Sequence, residues 1–341
     1  MRCAKRARLF LAALILLPSG AVRTEPREAA AHPQFHIIAL NPMGASSRAA
    51  VSINSRDQVV GTYSVPTSDA HAVLAQPGKF KDLGTLGGKE SNANAINELG
   101  QVAGSSILSD GHNGHAFLWD PGRGMMDLGA LGNGSEGLGL NNLGDVVGRT
   151  GSRGFIWING FMMDIGDLGG QGVSAQAIND KREIVGTSPT AHGDSHAFLW
   201  KDGQMTDLGT LGGSSSGASA INLKSQVVGS STTASGDQHA FLWENGHMSD
   251  LGTLGGRSSN AQGINDAGRI CGFSLTATGQ FHAFIWENGL MTDLGTAEGD
   301  ESEAYGINAS GHIAGNISGL PDAFTFHPVI WSAAKGSLSA F

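Results

Sequence analysis

The stretch from His196 to Gln238 reads HAFLWKDGQMTDLGTLGGSSSGASAINLKSQVVGSSTTASGDQ, and from His239 the chain continues HAFLWENGHMSDLGTLGG. The second segment opens almost as the first does. The same pattern recurs along the chain, and an Ile-Asn or Leu-Asn pair marks each copy. Successive marker asparagines are separated by 43, 44, 38, 43, 43 and 43 residues. A period of this length is typical of propellers and solenoids. The seven markers are Asn54, Asn97, Asn141, Asn179, Asn222, Asn265 and Asn308.

Each repeat unit contains four short apolar runs separated by Gly, Asn, Asp and Ser, which predicts β-strands and leaves no room for a helix. In the unit quoted above, strand A covers 196–200 and strand B covers 204–208. Strand C covers 217–222 and strand D covers 226–230. Asp202-Gly203 joins strands A and B, and such a pair accepts the positive φ angles of a tight hairpin.

Two hairpins per unit predict a four-stranded antiparallel sheet with apolar side chains on both faces, as in a propeller blade. We therefore expect residues 35–341 to form a single all-β domain, a seven-bladed β-propeller. Strand C has the smallest side chains, which places it nearest the axis. The alternative is a β-solenoid, which would need distinct polar caps at its ends. The chain starts in mid-unit at a strand B, and either this strand or 337–341 could complete the last blade.

The N-terminus predicts export. Residues 1–8 carry four positive charges and 9–17 form an apolar run that is too short to span a membrane, which needs roughly 20 residues. We expect residues 1–21 to be a cleaved signal peptide, residues 22–34 a linker, and the location secreted or periplasmic. Cleavage would leave 17 Lys and Arg against 30 Asp and Glu. This charge argues against nucleic acid as a partner, and we expect no membrane insertion after cleavage.

The succession His-Ala-Phe-Leu-Trp, Met-x-Asp-Leu-Gly-Thr-Leu-Gly-Gly, Ala-Ile-Asn and Val-Val-Gly resembles the bacterial extracellular repeat known as the HAF family. The resemblance covers about residues 35 to 341. It is degenerate in the first unit and in the third, where Arg153 stands in place of the histidine. The resemblance implies an exported repeat protein and transfers no catalytic residue.

Several side chains recur at one position per unit. Recurring His and Asp could in principle be metal ligands or an acid–base pair. A feature found in nearly every unit is more simply explained as blade structure, because buried polar groups need hydrogen-bond partners. We assign a structural role to His115, His196, His239, His282, Trp200, Trp243, Trp286, Asn222 and Asn265.

Positions that break the repeat carry more functional information. The loops joining strands D and A place Asp110, His112, Asp194 and Asp237 on one rim, and we expect Asp300, Glu301 and Glu303 on the other. These residues are the candidate ligand-binding positions for an extracellular glycan or protein. The last three belong to an acidic segment that could bind calcium, although a solvated turn explains it more simply. We predict no other cofactor.

The sequence predicts no nucleophile elbow, in which a serine stands between a strand and a helix, and it contains no zinc-binding helix motif and no phosphate loop. The favoured function is therefore a non-enzymatic binding or surface-interaction module, expected to be a monomer. The alternative is a propeller enzyme acting on extracellular polysaccharide. The enzyme would gain support if non-repeating side chains such as Asp300, Glu303, Arg153 and His112 met within hydrogen-bonding reach.

Overall fold

A computed structural model describes residues 35–40, 50–64, 69–297, 299–318 and 326–333. The signal peptide and linker predicted for residues 1–34 lie outside these ranges, as does 337–341. The strands of the described ranges are β1 (Phe35–Ala39), β2 (Ser52–Ile53), β3 (Val59–Ser64), β4 (Ala70–Gln76), β5 (Lys79–Asp82), β6 (Gly87–Ile96), β7 (Val102–Leu108), β8 (Gly114–Asp120), β9 (Gly124–Asp127), β10 (Glu136–Leu140), β11 (Val146–Thr150), β12 (Arg153–Ile158), β13 (Phe161–Asp164), β14 (Ser174–Ile178), β15 (Ile184–Pro189), β16 (Ser195–Lys201), β17 (Gln204–Asp207), β18 (Gly212–Ile221), β19 (Val227–Thr233), β20 (Gln238–Glu244), β21 (His247–Asp250), β22 (Gly255–Ile264), β23 (Ile270–Thr276), β24 (Phe281–Glu287), β25 (Leu290–Asp293), β26 (Glu301–Ile307), β27 (Ile313–Ser318) and β28 (Phe326–Ala333).

Each repeat unit folds as predicted, into an inner, a second, a third and an outer strand that pair antiparallel in this order. These are the predicted strands C, D, A and B. The hairpin between the third and outer strands has positive φ at both central residues, as at Asp202 (52°) and Gly203 (83°). The turn chemistry of the sequence therefore fixes the register of this pair.

The all-β propeller fold is confirmed, but the predicted set of seven separate blades needs correction. Five sheets are separate four-stranded blades, and the remaining strands, β18 to β25, form one eight-stranded sheet. The two halves of that sheet are joined by one parallel pairing, between Gln238 and Ser258. The joint forms where the start of a third strand approaches the next inner strand.

The inner strands surround the propeller axis. Each contacts the inner strands of its two neighbours, and β2 contacts both β6 and β26, so that the circle closes. This confirms the placement of strand C and excludes the open solenoid. The N-terminal strand β1 pairs with β28 from Phe35–Ala333 to Ala39–Val329, and so completes the sheet that contains the last described strands.

The hydrophobic core lies between neighbouring sheets. A fully buried phenylalanine recurs in the third strand of five units, as at Phe198, Phe241 and Phe284. In the first and last units, the buried Val73 and Val329 take its place. A steric clash explains why the Val-Val-Gly pattern ends in glycine. A Cβ on Gly229 would lie 2.0 Å from the backbone oxygen of Gly217 on the inner strand. Close approach of the two strands, which include a register shift, therefore requires glycine there.

Within the described ranges, no helix is long and apolar enough to cross a membrane.

Candidate functional site

A ring of buried asparagines surrounds the axis. The Oδ1 of Asn222 accepts hydrogen bonds from the backbone N–H groups of Lys224 and Gln226, at 2.9 and 3.0 Å. Its Nδ2 donates to the backbone oxygen of Asn265 in the next unit, at 3.1 Å. Every marker asparagine repeats this second bond at 3.0 to 3.3 Å, and the last closes on the first. The donor–acceptor order is Asn54, Asn97, Asn141, Asn179, Asn222, Asn265, Asn308 and again Asn54.

Five asparagines of the ring line a cavity of about 550 Å³ at the mouth of the axial channel, namely Asn97, Asn141, Asn179, Asn222 and Asn265. The residue that follows each asparagine also lines it, and this residue differs from unit to unit. We call these side chains the mouth residues: Ser55, Glu98, Asn142, Asp180, Leu223, Asp266 and Ala309. The asparagines of the ring are thus the same in every unit, whereas the mouth residues on their solvent side differ.

One arc of the mouth is saturated with hydrogen bonds between units. Glu98 accepts from the backbone N–H of Ser55 at 3.1 Å, and Asn142 Oδ1 accepts from the N–H of Glu98 at 2.9 Å. Asp180 accepts from both the backbone and the side-chain amide of Asn142, at 2.8 and 2.9 Å. These side chains hold one another in place.

The opposite arc keeps unused donors. Asp266 accepts from the N–H of Leu223 at 2.8 Å. In the part of the chain that the structure describes, no hydrogen bond is made by the backbone N–H of Asp180, Asp266 or Ala309. The mouth residue of the next unit is Leu223 after Asp180 and Ala309 after Asp266, and neither side chain can accept a hydrogen bond. The mouth therefore offers free N–H donors and the 41 % exposed Leu223 on one side.

The mouth is negatively charged. Glu98, Asp180 and Asp266 come from three different units, and no Lys, Arg or His is among the described residues that line the mouth. Charges of one sign lining a concave surface reinforce each other and disfavour ligands of the same sign. The charge of the mouth therefore disfavours anionic ligands.

The recurring histidines belong to a hydrogen-bonded latch away from the mouth. His239 Nδ1 lies 2.7 Å from Asp250 Oδ2, while Asp250 Oδ1 accepts from the N–H of Gly252 at 2.8 Å. The Ser259 hydroxyl donates to the oxygen of Gly252 at 2.6 Å and accepts from the N–H of Ala240 at 2.8 Å. The latch fixes the loop that leaves the outer strand. The same His–Asp contact occurs in His71–Asp82, His115–Asp127, His196–Asp207 and His282–Asp293.

The latch is partly exposed to solvent, not buried as the sequence led us to expect. The histidine and aspartate side chains are 21 % and 41 % exposed at His239 and Asp250. In the third unit, Arg153 replaces the histidine, with its Nε 3.6 Å from Asp164. The recurring tryptophans Trp200, Trp243 and Trp286 pack against the hydrophobic clusters between sheets.

The candidate residues of the loops share one rim, which corrects the placement of the acidic segment. The Arg257 Nε at the start of an inner strand lies 3.2 Å from Asp237 in a loop between a second and a third strand. The backbone N–H of Asp300 likewise donates to the oxygen of Ser318 at 3.0 Å. Both kinds of loop therefore lie at the end of the propeller opposite the asparagine turns. The asparagine turn joins the end of each inner strand to the start of the second strand. The connection before the inner strand and the connection after the second strand therefore both lie at the other end of the sheet.

Among the described residues, no hydrogen bond or ion pair joins candidates from different loops to one another. The N–H of His112 donates to Asp110 at 3.0 Å, a local turn contact that lowers the pKa of Asp110. Asp194 is exposed in its loop, and Glu301 begins β26. Glu303 accepts a hydrogen bond from Tyr305 two residues on.

The enzyme alternative would gain support from hydrogen bonds between the non-repeating side chains, and such contacts are not found at this rim. Among the described residues, no hydrogen bond or ion pair joins any two of Asp300, Glu303, Arg153 and His112. The same ranges contain no group of three or more His, Cys, Asp or Glu side chains that could hold a metal ion. Glu298 of the acidic segment lies outside them. Burial raises the pKa of the Cys271 thiol to about 12, so that thiol remains protonated.

Comparison with known proteins identifies the fold alone. No protein-family profile and no curated protein sequence matches the chain. Among solved structures, the β-propeller domain of the Trilobed protease from Pyrococcus furiosus is similar, with a TM-score of 0.56 and 11 % identity over 85 % of this chain and 97 % of that one. A puromycin-hydrolysing peptidase from Mycobacterium tuberculosis has a TM-score of 0.55 and 12 % identity over 90 % of this chain.

This chain covers only 55 % of that peptidase. At such identities the likeness defines the class as a β-propeller and says nothing of activity.

Proposed function

We propose that this protein is an exported, non-enzymatic binding module that recognises an extracellular glycan or protein at the mouth of its axial channel. The signal peptide predicted from the sequence and the resemblance to HAF-type extracellular repeats support export to the periplasm or the medium. The described domain supplies the binding surface.

One observation carries this proposal: the mouth residues vary although the asparagines beneath them do not. The asparagine ring needs the same amide in each unit because every side chain donates to the next backbone. The residue one position further on has no such constraint, yet it faces a shared cavity of about 550 Å³. Ligand sites are cavities of this size with a few polar groups in fixed positions. Varied side chains on a rigid frame are what recognition requires.

We further propose that the eight-stranded sheet acts as two blades, which would make the propeller seven-bladed. Each half of that sheet carries one full set of inner, second, third and outer strands, and one parallel pairing joins the halves. The closed ring of seven asparagine bonds supports this count.

A second candidate function is a polysaccharide-cleaving enzyme at the same mouth. It is favoured by one fact, that Glu98, Asp180 and Asp266 come from different units and line one cavity. Glycoside hydrolysis uses two carboxyl groups on either side of the scissile bond. The binding module is preferred because Glu98 and Asp180 already accept hydrogen bonds from neighbouring mouth residues, which suits a fixed acceptor more than a proton donor.

The proposal is tested by a binding screen of residues 22–341 on glycan and protein arrays, followed by affinity measurements on the hits. The mouth variant combines Glu98→Gln, Asp180→Asn and Asp266→Asn, which keep the acceptor oxygens and remove the charge. We expect this variant to bind at least about tenfold more weakly, a loss of about 1.4 kcal/mol. The matched control, Asp110→Asn with Asp194→Asn on the opposite rim, should bind as the natural chain does.

Two results would contradict the proposal. Equal binding by the mouth variant and the natural chain would place the ligand elsewhere. Release of new reducing ends from an arrayed glycan, abolished in the mouth variant, would establish the enzyme instead.

A further inference from the structure

A second cavity, of about 510 Å³, lies between neighbouring sheets and shares no lining residue with the mouth. Glu183 and Lys201 line one side, from the unit that contains β14 to β17. Lys224, Trp243 and Glu244 line the other side, from the next unit. We call this cavity the side cleft. Its combination of side chains occurs in no other unit, since the residues equivalent to Lys201 include Gln76, Asp120 and Ile158.

Glu183 organises one wall of the side cleft. This carboxylate is 1 % exposed, and it accepts hydrogen bonds from Ser225 and Asn179 at 2.7 Å each and from Lys201 at 2.9 Å. Burial alone would raise the pKa of Glu183, but these bonds outweigh burial and lower it. The group is therefore a fixed anion that is unsuited to act as a base. Its effect is to hold the ammonium group of Lys201, 58 % exposed, at the edge of the cleft.

Trp243 supplies an aromatic wall. In the second unit the equivalent Trp119 is covered, because the ammonium of Lys81 lies 4.4 Å from the centre of its ring. Trp119 is accordingly only 4 % exposed. The residue that corresponds to Lys81 beside Trp243 is Thr206, which is too short to cover a ring in this way. Trp243 is only partly buried, and it lines the side cleft.

Polar groups of both kinds surround this aromatic wall. Glu244 uses one carboxylate oxygen, which accepts from Gln226 Nε2 at 2.7 Å. Within the described ranges its other oxygen makes no hydrogen bond, and the ammonium of Lys224 makes no hydrogen bond or ion pair. Formal charge is balanced, since Glu183 offsets Lys201 and Glu244 offsets Lys224. A neutral ligand is therefore preferred over an anionic or a cationic one.

A sugar ring matches this combination. One face of a pyranose presents C–H groups that pack on an indole, whose exposed surface is large and apolar. Its edge presents hydroxyl groups that need both donors and acceptors, as Lys201, Lys224 and Glu244 provide. A volume of about 510 Å³ lies within the range of small-molecule sites and has room for more than one sugar unit.

We propose that the side cleft is a second binding site, separate from the mouth, for a neutral saccharide whose ring stacks on Trp243. The site needs no cofactor. It does not depend on what the mouth binds.

Calorimetric titration of the purified chain tests this proposal. The probes are the neutral tetrasaccharides of β-1,4-linked glucose, mannose, xylose and N-acetylglucosamine, with tetragalacturonate as an acidic comparison. We expect saturable binding of at least one neutral probe below about 10 mM. Trp243→Phe, Lys224→Gln and Glu244→Gln should each weaken that binding at least about fivefold, roughly 1 kcal/mol.

The chain offers matched controls in its other units. Lys181 is the equivalent of Lys224, and Trp286 is the equivalent of Trp243, and neither lines the side cleft. Lys181→Gln and Trp286→Phe should leave the affinity unchanged. The proposal is overturned if no neutral probe saturates, if only tetragalacturonate binds, or if the control variants lose as much affinity as the cleft variants. Loss of binding in the mouth variant but not in the cleft variants would also overturn it.

Discussion

Replacing one amide of the asparagine ring by a carboxylate, Asn222→Asp, tests the ring most sharply. The substitution keeps the oxygen that accepts from the turn backbone and removes the donor Nδ2. That donor serves Gln226 Oε1 at 2.7 Å and the backbone oxygen of Asn265 at 3.1 Å. Each acceptor that loses its donor costs about 1–3 kcal/mol. The buried carboxylate, which would face the same two oxygens, adds desolvation and repulsion to this cost. We therefore expect a loss of about 3–5 kcal/mol in the free energy of unfolding.

The assay is urea unfolding followed by circular dichroism at pH 7, with Asn288→Asp as the matched control. Asn288 lies in a hairpin turn with φ of 54°, and Asp202 takes the equivalent place with φ of 52°. The control should change the free energy of unfolding by less than about 0.5 kcal/mol. If Asn222→Asp cost less than about 1 kcal/mol, the ring would not be a cooperative structural element and our reasoning would be refuted.

Three further predictions concern other parts of the structure. Gly229→Ala should destabilise by at least about 2 kcal/mol in thermal unfolding, because its Cβ would lie 2.0 Å from the Gly217 oxygen; an unchanged Tm would contradict this. The pKa of Glu183 is lower in the folded protein than its value of about 4.3 in the unfolded chain, so the ionised carboxylate stabilises the fold above a pH of about 4.3. This stabilisation is lost as the pH falls through the folded pKa. Glu183→Gln should thus flatten the acid dependence of Tm, and an equally steep dependence would count against the assignment. His239→Gln should cost less than about 1 kcal/mol by urea unfolding, because the pair with Asp250 is partly exposed; a larger loss would show that the latch has a greater role.

Much of the fold could be predicted because each sequence signal for a strand or a turn recurs in several units. The Asp202-Gly203 pair and its equivalents predicted the hairpins, and the apolar runs predicted four strands per unit. The closing strand could not be predicted, since β1 and 337–341 both resemble an outer strand in sequence. The parallel pairing of Gln238 with Ser258 also has no sequence signal, because it depends on the approach of two sheet edges in space.

The candidate site was harder to predict than the fold. Loop irregularity drew attention to Asp110 and Asp300, whereas the structure brings Glu98, Asp180 and Asp266 together at the other end. A signal for the mouth was present, namely the variable residue after each invariant asparagine. Its meaning depends on the inner strands forming a closed ring, which no local pattern encodes.

The turns after the inner strands show a similar limit. Glycine fills the left-handed position of several of these turns, as at Gly100 and Gly268, but Ser225 fills it in another turn with φ of 61°. Its hydroxyl reaches Glu183 in the preceding unit at 2.7 Å. A contact between units thus accompanies an unfavourable backbone conformation, and the sequence of one turn cannot reveal such a contact.

Hydrogen–deuterium exchange with and without a ligand from the array screen tests the binding site most directly. If the mouth binds the ligand, we expect slower exchange at the backbone amides of Asp180, Asp266 and Ala309, the unused donors of the mouth. Unchanged exchange at these amides, with protection instead in the loops at 110–112 and 235–237, would contradict this expectation and place recognition on the opposite rim.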